Sequence, residues 1–147
     1  MVALFRDAGT NEPCGIHRTV LSDDGSGKHE LGKRMMGRAK DAVIKLTDDA
    51  EVTTGLGLAE GIENALTLAA YGWWPIWAAG SAGSIRNFPV LDGIEALTIF
   101  ADVDDGGVGL TAARECAARW SGAGKLVEIQ KPPAGTDWND FARSIAA

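Results

Sequence analysis

The sequence predicts an α/β protein: a sheet of about four parallel strands between helices, preceded by a small N-terminal β-hairpin region. Three observations carry this. After residue 51, apolar stretches of strand length alternate with stretches of helical period, the order that produces parallel pairing with right-handed crossovers. The run ALTIFA at 96–101 is apolar without alternation, which suits a strand buried on both faces. Before residue 50 the chain is polar and turn-rich, with only short strand signals.

Residues 2–6 and 15–21 read as short strands, and the cluster Ala8-Gly9-Thr10-Asn11-Glu12-Pro13 between them predicts an antiparallel hairpin. Asp23-Asp24-Gly25-Ser26-Gly27 marks a loop. Gly27-Lys28 lacks the spacing of a phosphate loop, and no strand leads into it. AVIKL at 42–46 is a third short strand. Residues 52–59 form a strand that ends in Glu60-Gly61. Ile62, Ala65, Leu66 and Ala69 recur at helical spacing, so 62–71 is predicted helical, stopped by Gly72. A strand over 75–79 runs into the small-residue turn 80–84, followed by a short helix or irregular segment. A helix is predicted over 107–121, ended by Gly122 and Gly124, and a strand over 126–130. Pro132-Pro133-Ala134-Gly135 breaks the chain before a last helix, 137–145, capped by Thr136 or Asp137. The division expected is a β-rich basic region, 1–50, and an α/β domain, 51–147.

With 147 residues, 46% apolar and 23% charged, the chain is sized for one globular domain and is not disordered. No apolar run reaches the ~18 residues of a membrane span, and the N-terminus has no basic-then-apolar leader pattern. Cys14 and Cys116 form neither a disulfide framework nor a zinc pattern. A cytoplasmic protein with reduced thiols is expected. The net charge of −6 argues against a general nucleic-acid coat. The charge is uneven, however. The window 28–40 holds Lys28, Lys33, Arg34, Arg38 and Lys40 against Glu30, so it carries +4 and the remainder −10. With Arg18, these residues are candidates for holding a nucleic-acid backbone. A charge run is equally the mark of a solvated loop. Trp73, Trp74 and Trp77 are read as packing residues rather than a base-stacking platform. His17 has no second histidine at metal-binding spacing.

The acids are placed informatively. Glu60 directly follows one strand, Asp102 and Asp104 directly follow another, and Asp137 and Asp140 lie past the loop after the last strand. Open parallel sheets bind ligands at the carboxyl ends of their strands, so parallel pairing gathers these acids at one edge. Like charges gathered there repel unless a cation joins them. Magnesium, a hard ion that takes oxygen ligands, is the natural occupant. Asp-x-Asp places two carboxylates on one side of an extended segment. Each acid alone could equally be a turn or cap residue.

Leu58-Ala59-Glu60-Gly61-Ile62-Glu63, then Phe100-Ala101-Asp102-Val103-Asp104-Asp105-Gly106-Gly107, then Asp137-Trp138-Asn139-Asp140 resemble the toprim domain. They are most similar to the toprim modules of phage- and plasmid-type primases and primase–helicases. The likeness covers about residues 15–143. It implies a compact Rossmann-like sheet and Mg2+-dependent nucleotidyl transfer, with Mn2+ as a possible substitute. By resemblance, Glu60 is the general acid/base, Asp102 and Asp104 are catalytic metal ligands, and Glu60 and Asp137 complete the metal set. Glu63, Asp105 and Asp140 are accessory. Asn64 stands where many toprim primases carry an acid, and Thr136 where lysine is common.

The partners implied are single-stranded DNA template and nucleotides, with a helicase or zinc-binding module in cis or trans, and no membrane. The alternatives are a metal-dependent nuclease of the same class and a non-catalytic nucleic-acid or partner-binding module. A topoisomerase needs a nucleophilic tyrosine, and the only one, Tyr71, falls at a predicted helix end.

Overall fold

The structure, a computed structural model, describes residues 1–24, 27–103 and 105–146. In chain order the elements are β1 (Val2–Asp7), β2 (Pro13–Leu21), β3 (Lys28–Gly37), β4 (Ala42–Lys45), β5 (Gly55–Ala59), α1 (Ile62–Ala70), β6 (Ile76–Ala78), α2 (Ala82–Asn87), β7 (Ala96–Phe100), α3 (Val108–Gly122), β8 (Leu126–Gln130) and α4 (Trp138–Ala146). One sheet takes the order β3-β2-β1-β4-β6-β5-β7-β8. The last four strands in that order are parallel, as the alternation predicts. The first four are joined antiparallel.

The central parallel strands β5, β6 and β7 are buried on both faces. Leu56, Leu58, Leu97 and Ile99 pack with Ile85 of α2 and with Ala112, Ala113 and Cys116 of α3. Small side chains on α3 let that helix lie close to the sheet, and Trp120 closes this layer by stacking on Phe88 at 5.8 Å. Ala59, Ile76 and Phe100 face the other way, toward Ile62, Ala65 and Leu68 of α1. Trp138 of α4 meets Phe100 edge-on at 5.4 Å. Strand pairing thus sets α1 and α4 on one face and α2 and α3 on the other.

The sheet runs without a break across residue 50, through a narrow junction. β4 pairs with β1 at Arg6↔Val43 and Asp7↔Ala42, and with β6 at Ile44↔Ala78 and Lys45↔Trp77. Buried Thr47 pins this junction. Its Oγ1 donates to the Ile76 carbonyl at 3.2 Å and accepts the Ile76 N–H at 2.9 Å.

β3 has no counterpart in the expected elements. The basic window, open between a nucleic-acid arm and a solvated loop, is for the most part an edge strand paired with β2 from Gly15↔Gly37 to Thr19↔Lys33. Its sequence carries no apolar alternation because an edge strand is blunted by charge. Glycine is required where the two strands close up: a Cβ on Gly37 would lie 2.6 Å from the Cys14 carbonyl oxygen, and its φ is +87°.

The meander also bends. Met35 Cε lies 3.5 Å from where a Cβ on Gly80, just past β6, would sit. β3 is four strands from β6, roughly 19 Å in a flat sheet at ~4.8 Å per strand. The antiparallel part therefore twists back over the α1/α4 face. Thr47→Val strands the Ile76 N–H in the core and is expected to cost about 1–3 kcal/mol, read as a lower urea midpoint with an unchanged slope.

Candidate functional site

Register delivers the first two acids. Ala59 pairs with Phe100, so Glu60 leaves β5 beside the point where the chain leaves β7 toward Asp102. Backbone bonds prolong the ladder past the strand ends: Gly80 N–H to the Glu60 carbonyl at 2.7 Å, and Ala101 N–H to the Gln130 carbonyl at 2.9 Å. Val103 N–H donates to the Thr136 carbonyl at 2.7 Å, which draws the loop carrying Asp137 onto the same edge.

The two carboxylates take different neighbours along that edge. Glu60 turns to the first turn of α3, where its Oε2 lies 3.4 Å from where a Cβ on Gly109 would sit. The positive end of a helix favours an anion there. The same Cβ would lie 2.8 Å from the Asp102 carbonyl oxygen, so the fit of α3 beneath the site requires glycine. Asp102 turns to α1 and accepts a hydrogen bond from Asn64 Nδ2 at 2.8 Å. Asp137 caps α4: its Oδ1 accepts the Asp140 N–H at 2.8 Å. This makes Asp137 the cap, and Thr136 instead donates its hydroxyl to Asp140 Oδ2 at 2.6 Å.

The electrostatics converge on Asp102. Half-burial, then the charges of Glu60 and Asp137, push its carboxyl from the ordinary 3.8 up to about 7. Lys33 and the Asn64 hydrogen bond pull the other way. The Lys33 effect brings β3 into the site: Lys33 lies across from buried Thr19, on the face of the meander that folds back toward the acids.

The other candidate residues are distributed differently. Arg18 and Arg34 are cross-strand partners, one position out of step with Thr19 and Lys33, so they occupy the outward face of the meander with exposed Val20 and Leu31. Arg38 is committed to Asp7, at 2.8 Å, and to the Lys40 carbonyl. The Thr10 N–H, and after it that ion pair, holds the Asp7 carboxyl well below the usual range. Lys40 and Asp105 are exposed and Glu63 is half-buried. Asp104 and the side chain of Lys28 lie outside the described residues. Among the described residues, no three His, Cys, Asp or Glu side chains are grouped to hold a metal ion. The largest cavity described, about 730 Å³, opens elsewhere, beside Asp7, Asp41, Asp49 and Asp92.

The family model of the toprim domain matches residues 55–147. The chain belongs to the toprim family. Among solved structures, a DNA primase domain from Pseudomonas aeruginosa aligns with a TM-score of 0.56 at 16% identity, covering 97% of this chain and 52% of that one. The catalytic core of DnaG aligns with a TM-score of 0.61 at 21% identity, covering 96% and 47%. These likenesses show a shared fold, and the chain spans about half the length of each. A comparison with curated proteins finds no match. No helix among the described residues is long and apolar enough to cross a membrane.

Two residues at the toprim edge are not among the candidates read from sequence. Asn64 is 3% exposed, and its signal was a polar residue within the inward stripe of α1. Gly109 carried no signal, since its neighbours are set by how α3 meets the sheet.

Two outcomes are expected. Asp102 binds its proton more tightly folded than unfolded. Without divalent ions, the wild type therefore loses stability relative to Asp102→Asn as pH rises from 3.8 to about 7, and the gap stays constant above that. Thermal melts across this range measure it. Gly109→Ala drives a methyl against the Asp102 backbone and is expected to cost about 1–3 kcal/mol in chemical denaturation.

Proposed function

We propose that this toprim domain carries out Mg2+-dependent nucleotidyl transfer on nucleic acid, as the catalytic module of a primase-like replication protein. One observation carries the reading: Asp102 is partly buried beside the charges of Glu60 and Asp137, and burial first, then those charges, raises its carboxyl to about 7. Such a site is unfavourable until a cation enters. The donor set is all oxygen, which fits Mg2+, and that ion needs only one or two carboxylates because it keeps several waters. A water-rich site of this kind is compatible with acids that do not enclose an ion themselves. Asp102 and Glu60 would hold it, with Asp104 and Asp137 around them and Mn2+ as a substitute. When bound, the ion neutralises phosphate charge as the phosphoryl group is transferred.

The chain's own residues do the rest. Glu60, beside the first turn of α3, takes the proton of an attacking hydroxyl or returns one to a leaving oxygen. Lys33, facing the acids from β3, pairs with a phosphate of the incoming polyanion and so draws it to an otherwise repulsive edge. Arg18 and Arg34 face outward and would hold backbone that passes around the meander. These contacts set position and carry no base information.

With Mg2+ or Mn2+, single-stranded template and nucleotides, incorporation is expected in the wild type. It is expected to fall at least about a hundredfold in Glu60→Gln and Asp102→Asn, both folded by circular dichroism. Cleavage of labelled DNA without incorporation would instead assign a nuclease; neither activity, with DNA bound, would assign a binding module. Lys33→Glu is expected to weaken DNA binding and lower the salt slope by about one, whatever the sequence of the DNA. Filter binding from low to high salt measures this.

A further inference from the structure

Asn64 is a polar side chain at a core position. It is 3% exposed, among the apolar Ile62, Ala65 and Leu68 that α1 turns inward. A buried amide is costly unless its groups are bonded. Here each end is used by a segment distant in sequence. Nδ2 donates to Asp102 Oδ1 at 2.8 Å, and Oδ1 accepts the Asn139 backbone N–H at 3.1 Å. Only this orientation works, because the reverse sets the amide oxygen against a carboxylate and the amide NH2 against an N–H. Asn139 lies in the first turn of α4, where N–H groups have no partner within the helix. One turn along α1, Thr67 Oγ1 donates to Asn139 Oδ1 at 3.3 Å.

We propose that Asn64 is the positioning residue of this toprim site: one amide holds the Asp102 carboxylate and the first turn of α4 together, so ion occupancy at Asp102 is coupled to the docking of α4. The ion half of this rests on the Mg2+ reading above. Asn64 has no proton to exchange and acts through Asp102. It holds one carboxylate oxygen and leaves the other for a cation. An ion on the free oxygen fixes the Asp102 carboxylate in place, so the acceptor of the Asn64 bond is held at its 2.8 Å position. The restrained amide then holds the Asn139 N–H more firmly. Linkage makes the effect reciprocal, so loosening α4 weakens the ion.

The test uses the full chain, backbone amide exchange followed by NMR, and calorimetric titration with Mg2+. In metal-free protein, Asn64→Ala is expected to speed exchange at Asn139 about tenfold and to leave the Cys116 amide of α3 unchanged. Thr67→Val removes the second side-chain bond to Asn139 without touching Asp102, and is expected to speed exchange at Asn139 and weaken Mg2+ binding about twofold. Mg2+ is expected to slow exchange at Asn139 in the wild type but not in Asn64→Ala, and that variant is expected to bind Mg2+ about five- to tenfold more weakly.

A folded Asn64→Ala with wild-type exchange at Asn139, or with wild-type Mg2+ affinity, overturns the proposal. So does a Thr67→Val variant with faster exchange at Asn139 and wild-type Mg2+ affinity, which decides the matter if the alanine variant fails to fold. A wild type that binds no Mg2+ fails the functional reading itself. A wild type that binds Mg2+ indifferently to residue 64 fails only the coupling.

Discussion

Parallel pairing of β6, β5, β7 and β8 governs this molecule. Strands that run the same way must end at the same edge, so whatever follows them in sequence is collected there. In this chain, Glu60 follows β5, Asp102 follows β7 and Asp137 follows the loop after β8. The fold therefore concentrates negative charge whether or not charge is favourable there. The cost falls on Asp102, the half-buried member, as a carboxyl held up near neutrality. The layers of apolar side chains on both faces hold the strands in that register.

The neighbours of the acids answer that charge in different ways. The first turn of α3 offers its positive end to Glu60, with Gly109 permitting the approach. The N-terminus of α4 uses Asp137 as its cap. Asn64 gives Asp102 a donor and spends its oxygen on α4. Lys33 brings a positive charge from the far end of the sheet, which is possible only because the antiparallel meander folds back. α1, α3 and α4 thus each touch an acid of this edge, and the packing and the electrostatics cannot be varied independently.

Much of the parallel half was legible in the sequence. Helical spacing located α1, the unalternating ALTIFA run located β7, and glycines marked the ends of α1 and α3. β3 was not legible as a strand. A strand exposed at a sheet edge gains nothing from apolar alternation, so its residues carried only a charge signal. The basic window proved to be two things: Lys33 on the face toward the acids, and Arg34, with Arg18 across from it, on the other. A period of two decides such matters, and a count of charges does not see it.

By itself the sequence determined the order of strands and helices and the acidic residues that end those strands, because periodicity and turn residues are local properties. It also determined that the chain carries the toprim motifs. Only the tertiary structure decided which neighbours each acid takes, that Asn64 joins Asp102 to α4, and that β3 reaches back to the site. Those depend on register, twist and the contact of residues far apart in the chain, for which no local pattern exists.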